Sequence, residues 1–135
     1  MNNYFLKWNY FYLVPSVCYG ILIFILSSIS RYPESVPSFW GFDKVLHLTV
    51  YFIFGFLLAR MCANSPWRGL NKKYFLISVT AGILYGITDE WHQSFVPGRT
   101  ATIADALFDS LGIVLGVFSY RAVKGRRPVL NADRF

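Results

Sequence analysis

The chain has 135 residues, 55% of them hydrophobic and 19% aromatic against 15% charged, with a mean hydropathy of +0.41. That balance excludes an ordinary soluble domain. The net charge of +6 is one footprint of phosphate binding, but the cations gather beside apolar runs, which argues against nucleic acid as the partner.

Crossing a hydrocarbon core of about 30 Å takes roughly 20 helical residues. Four apolar runs approach or reach that length: 11–29, 45–61, 74–95 with its polar end included, and 103–120. Helices satisfy their own backbone hydrogen bonds within each segment, so they are the natural way for such runs to cross. The predicted fold class is all-α, a polytopic membrane protein built as a bundle of four transmembrane helices in a single domain over 1–135.

The N-terminal stretch "MNNYFLKWNYFYLVPSVCYGILIFILSSIS" has a cation and an apolar run, as a secretory signal does. Its apolar part is too long for a signal core and no A-x-A-like site follows, so it reads as a retained first helix. Trp8, Tyr10 and Tyr12 are its expected aromatic belt, and Pro15 sits near the helix entry. Arg60, Arg68, Lys72 and Lys73 lie between the second and third runs, and Arg121, Lys124, Arg126, Arg127 and Arg134 follow the fourth. The positive-inside rule then places both termini and the middle loop in the cytoplasm, and the 31–44 loop and 93–102 turn outside. Cys18 and Cys62 are poorly placed to meet, so neither a disulfide nor a cysteine metal site is expected.

Polar residues recur at helical spacing. Asp43, His47 and Tyr51 stack on one face of the second helix, with Lys44 starting the neighbouring face. Ser78, Gly82, Gly86, Asp89 and Gln93 form a stripe on the third, with Glu90 one residue aside. Asp105, Asp109, Gly112 and Gly116 do the same on the fourth. The third and fourth stripes contain G-x-x-x-G, the spacing that lets helices approach closely in lipid, and these packing faces lead directly to the polar ones. Three helices are therefore expected to converge on one outward polar cluster. In "SFVPGRTAT" the Pro97-Gly98 pair predicts a tight turn. Thr102 and Asp105 have capping-box spacing. Asp109 lies one turn deeper, where an ionised carboxylate costs about 2.5–3.5 kcal/mol and normally marks a function.

These residues admit several chemistries. His47 with carboxylates from other helices leaves a Zn²⁺ or hard divalent site open, although no H-E-x-x-H is present and Lys44 and Arg99 are also positioned to neutralise the acids. Ser110 beside Asp109 lacks a G-x-S-x-G elbow, which weakens a serine hydrolase. Asp89 and Glu90 are an acid/base pair in composition, but adjacent helical residues point about 100° apart and answer to different partners. His92 beside Trp91 reads as interfacial. Arg99, on a constrained turn above acidic helix ends, has the planar fork that grips phosphate or carboxylate.

"DKVLHLTVYFIFGFL" at 43–57 and "DEWHQSFVPGRTATIADALFDSLG" at 89–112 resemble the VanZ-like family of small bacterial membrane proteins. The D-K-x-x-H and D-E-x-x-Q…P-G-R…D motifs occur in the family's order over most of the chain beyond the first helix. The resemblance implies Asp43, Lys44, His47, Asp89, Glu90, Gln93, Arg99 and Asp105 as the polar set, with Asp109 at a position that looks equivalent to a family Asn or Asp. It also implies a multi-pass protein of the bacterial cytoplasmic membrane, in a family associated with tolerance of teicoplanin-type glycopeptides. Two functions follow as expectations. The first is a binding protein whose outward pocket engages membrane lipid, either an anionic headgroup or a lipid-linked envelope precursor. The alternative is an intramembrane hydrolase or transferase acting on a lipid phosphate or headgroup, with Asp89, Glu90 and His47 as acid/base groups or metal ligands. A purely structural polar network is the third reading. No cofactor is specified.

Overall fold

The computed structural model describes residues 3–30 and 40–125, and every regular element among them is helical. α1 (Asn3–Trp8), a π-helical turn (Asn9–Leu13) and α2 (Val14–Ser27) form one continuous helix. α3 (Trp40–Ala63), the short α4 (Arg68–Lys72), α5 (Tyr74–Gln93) and α6 (Ile103–Gly125) follow. The expected 31–44 loop lies mostly outside the described residues, as do Arg126, Arg127 and Arg134.

The first helix differs from its predicted start at residue 11. Pro15 lies deep inside it rather than at its entry, and proline has no N–H and collides with the carbonyl four residues back. The π-helical turn just upstream, in which the Val14 N–H donates to the Asn9 carbonyl, shifts those carbonyls and keeps the helix continuous. Trp8 is not a belt residue either. Its side chain is buried, its Nε1–H donates to the Met61 carbonyl at 3.1 Å, and its ring meets Trp67 edge-on at 5.3 Å.

Among the described residues, three helices are long and apolar enough to cross a membrane: Asn3–Ser27, Gly41–Ala63 and Ile103–Gly125. α5 has 20 residues but ends in the polar run DEWHQ, and those five residues keep it short of that apolarity. The outer faces are greasy. Along α6, Ile103, Leu107, Leu111, Leu115 and Phe118 are exposed, while Asp105, Asp109, Gly112 and Gly116 are buried. A helix with its acids inside and its leucines outside suits a hydrocarbon surround, where polar groups must find partners within the bundle.

Glycines set the spacing of the bundle. A Cβ on Gly112 would strike the Leu48 carbonyl and the Phe52 amide, one on Gly116 the Phe52 carbonyl, and one on Gly55 the backbone of Ile113. The backbones of α3 and α6 therefore touch, as the small-residue spacing predicts. Around this seam Ile23, Tyr51, Phe54, Ala59, Ala63, Ile113, Val117 and Tyr120 form the apolar core. α5 leans on the seam through Gly82, which faces Ile113, and Gly86, which faces Tyr51 and Asp109. α2 closes the bundle with Ser16 Oγ donating to the Leu57 carbonyl at 3.1 Å and Tyr85 of α5 donating to the Gly20 carbonyl at 2.6 Å.

Candidate functional site

α3 begins five residues earlier than the apolar run, so Asp43 and Lys44 belong to its first turns rather than to a loop. Lys44 is buried and pairs with Asp105 of α6, while Asp43 lies 3.1 Å from its Nζ. The Asp105 side chain is 3% exposed, whereas that of Asp43 is 45% exposed and faces the rim. This ammonium is therefore held by two carboxylates and closes the α3–α6 seam at its polar end.

One turn deeper, His47 meets Asp109. Nδ1 of His47 lies 2.9 Å from Asp109 Oδ1 and 3.7 Å from Glu90 Oε1, and its Nε2 is 3.8 Å from Asp43 Oδ1. His47 thus touches acids from α3, α5 and α6. Gly86 provides the room, because a Cβ there would approach the Asp109 Cβ at 3.3 Å. A glycine stripe leading to carboxylates is in this sense a single feature: small residues bring the helices near enough for the acids to share one imidazole.

Adjacent Asp89 and Glu90 diverge, as their helical angle requires. Asp89 Oδ2 accepts from the Tyr51 hydroxyl at 2.9 Å and from Gln93 Nε2 at 3.0 Å. Glu90 turns toward His47, and its Oε2 accepts from the Thr102 backbone N–H at 3.3 Å. That contact revises the predicted capping box. Thr102 Oγ1 does accept from the Asp105 N–H at 3.1 Å, but Asp105 Oδ2 returns to the Thr102 hydroxyl at 2.6 Å. Aspartate is one methylene short of the reach that a capping-box glutamate has, and Glu90 of the preceding helix takes the Thr102 amide in its place.

The 96–99 turn forms as expected. The Arg99 N–H donates to the Val96 carbonyl at 3.1 Å, and Gly98 has φ 83°, the arrangement of a type II turn with proline second and glycine third. It carries Arg99 to a cavity of about 210 Å³ lined also by His47, Tyr51, Asp89 and Gln93, with Ile23, Leu26, Ser27, Leu46 and Val50 completing its walls. His92 stands apart, stacked on Phe24 with centroids 4.7 Å apart and 3.0 Å from Ser28 Oγ.

All nine candidate residues therefore fall at one end of the bundle. Asp43, Lys44 and Asp105 form one linked group, His47, Glu90 and Asp109 another, and Asp89, Gln93 and Arg99 face the cavity. Sequence reasoning left out two contributors. Tyr51 was placed on the right face but not in the site, where its hydroxyl holds Asp89. The first helix is not among the three helices expected to converge on the cluster, yet its Ile23, Leu26 and Ser27 wall the cavity. The signal was present in the spacing of Ser16, Gly20, Ile23 and Ser27, all of them buried.

Among the described residues, two combinations bring His and carboxylate ligand atoms within 4.8 Å of one another: Asp43, His47 and Asp105, and His47, Glu90 and Asp109. No curated protein and no solved structure matches the chain. The family model described as VanZ/LLP1 matches residues 3–124, a span that takes in the whole first helix as well as the polar motifs. With its apolar helices and buried acids, the chain is a helical membrane protein of the VanZ/LLP1 family.

Proposed function

We propose that this protein binds an anionic lipid headgroup or a lipid-linked precursor of the bacterial envelope in the cavity beside Arg99. In this reading α5 crosses the cytoplasmic membrane as a fourth span, both termini are cytoplasmic, and the polar cluster faces outward. A rise of about 1.5 Å per residue gives a 20-residue helix a length of about 30 Å, enough to span despite its polar last turn. The observation that carries the reading is the lining of the cavity: Arg99, Gln93, Asp89 and His47 at its polar side, and Ile23, Leu26, Leu46 and Val50 as apolar wall. An amphiphile needs both surfaces at once. Lys44 is held by Asp43 and Asp105 outside the cavity lining, and Arg99 is the cation that lines it. Tolerance of teicoplanin-type antibiotics is one biological outcome of sequestering such a lipid.

Arg99→Lys and Arg99→Gln test this. The guanidinium makes two parallel hydrogen bonds to a phosphate that an ammonium does not reproduce. Retention of phosphatidylglycerol and of a polyprenyl phosphate, measured by native mass spectrometry, should fall from wild type to Arg99→Lys to Arg99→Gln, with phosphatidylcholine unaffected. Equal profiles across the three proteins reject headgroup recognition.

The contact of His47 with Asp109 and Glu90 favours one second reading, an intramembrane hydrolase or transferase acting on the same lipids. A histidine touching two acids is equipped to move a proton, with Asp89 fixed nearby by Tyr51 and Gln93.

A further inference from the structure

We infer that His47, Glu90 and Asp109 form a binding site for one divalent transition-metal cation, ligated by His47 Nδ1, Glu90 Oε1 and a carboxylate oxygen of Asp109. The site stands whether or not the cavity holds a lipid.

Geometry comes first. Metal bonds of about 2.0–2.2 Å to imidazole nitrogen and carboxylate oxygen place neighbouring ligand atoms of a tetrahedral or octahedral ion roughly 3–3.5 Å apart. His47 Nδ1 stands 2.9 Å from Asp109 Oδ1 and 3.7 Å from Glu90 Oε1, distances on either side of that range. All three ligand atoms fall within 4.8 Å of one another. Small side-chain adjustments bring both distances into that range.

The second observation is of unused acceptors. Glu90 Oε1 and Asp109 Oδ2 are shielded from solvent and accept no hydrogen bond, in side chains only 8% and 1% exposed. Such groups are costly in a low-dielectric interior. The Thr102 amide holds the other oxygen of Glu90, which leaves Oε1 aimed at His47. A hydrogen-bonded second oxygen is the outer support that fixes a ligating carboxylate.

Charge separates this group from its neighbour. Asp43, His47 and Asp105 also converge, but there Lys44 already supplies a cation. Among the described residues, Asp43, Asp89, Glu90, Asp105 and Asp109 outnumber the basic side chains Lys44, His47, His92 and Arg99 at this end of the bundle. A dication between Glu90 and Asp109 offsets that excess beside the Asp109 carboxylate, whose side chain is 1% exposed. One imidazole and two carboxylates suit Zn²⁺ or Mn²⁺ better than Mg²⁺ or Ca²⁺. Three protein ligands leave further coordination positions, as open metal sites do, and His47 borders the cavity, which gives the ion its way in.

The test uses full-length protein in detergent, stripped with a chelator and titrated calorimetrically with Zn²⁺ and Mn²⁺. Bound metal per chain is counted by mass spectrometry. Wild type should take one ion, and Glu90→Gln and Asp109→Asn should each lower affinity about a hundredfold or more, beyond the loss typical of outer-shell changes. Asp43→Asn should leave it within a few-fold. A second readout needs no ligand variant. The chain has two histidines, so in ¹⁵N-histidine-labelled protein Zn²⁺ should shift the ring nitrogens of His47 and spare those of His92, assigned with His92→Gln. Absence of saturable binding, unchanged affinity in both carboxamide variants, or a shift confined to His92 overturns the inference. So does loss on Asp43→Asn with retention on Glu90→Gln, which moves the ion to the other group.

Discussion

His47 Nδ1 and Asp109 Oδ1 lie 2.9 Å apart across the α3–α6 seam, each buried and each carried by a helix whose backbone touches the other at Gly112. The pair gives Asp109 a partner at a depth where a lone carboxylate is unfavourable, and it ties the polar cluster to the packing of the core. Removing the imidazole alone leaves Asp109 buried without it. His47→Leu should therefore cost about 3–5 kcal/mol, the usual penalty for breaking a buried pair. His47→Leu combined with Asp109→Asn should recover part of that loss. Thermal unfolding of the four proteins of the cycle in detergent measures the coupling; additive losses would mean the two residues do not interact.

The glycine seam makes a prediction about backbone distance. Alanine at Gly112 or Gly116 brings a Cβ into Leu48 or Phe52 main-chain atoms, which have no rotamer to give. Each substitution should destabilise by about 1–3 kcal/mol, as overpacking does. Gly69→Ala meets nothing within 4 Å and serves as the control. Melting temperatures equal to the control for both seam variants would contradict the close approach of α3 and α6.

Catalysis and binding part at Asp89 and Glu90. If the protein turns over a lipid phosphate, Asp89→Asn or Glu90→Gln abolishes product while substrate still binds, because shape is kept and the ionisable group is lost. A binding protein gives graded affinity changes and no product. Incubation with labelled lipid phosphates, with and without chelator, decides: we expect no product, and product lost in these variants would replace binding with catalysis.

Orientation is tested with single cysteines in a Cys18→Ala, Cys62→Ala background. A cysteine at Thr100 should react with an impermeant thiol reagent in intact cells, and one at Asn71, between cations on both sides, should not. The reverse pattern would turn the polar cluster to the cytoplasm and remove an extracytoplasmic ligand from consideration.

Periodicity alone determined a good deal. Asp43, His47 and Tyr51 share a face because four residues make about one helical turn, and the stripes of α5 and α6 are buried residue for residue as their spacing required. The Pro97-Gly98 turn followed from local dihedral preferences. Spacing within one helix carries no record of which face meets which, so the partners of each polar group needed the tertiary structure. That is why spacing alone leaves open which acids Lys44 neutralises, and the structure pairs it with its neighbour Asp43 and with Asp105 of another helix. It is also why the Thr102 amide goes to Glu90, twelve residues back and on another helix. Nor does an apolar run mark its own ends: α3 takes in Asp43 and Lys44, with Asp105 of α6 alongside to pair with Lys44, and the first helix continues through Pro15 because a π-helical turn absorbs the missing N–H. Hydropathy marked these helices as membrane segments; side-chain contacts between helices decided which acids each cation and the histidine meet, and which polar groups line the cavity.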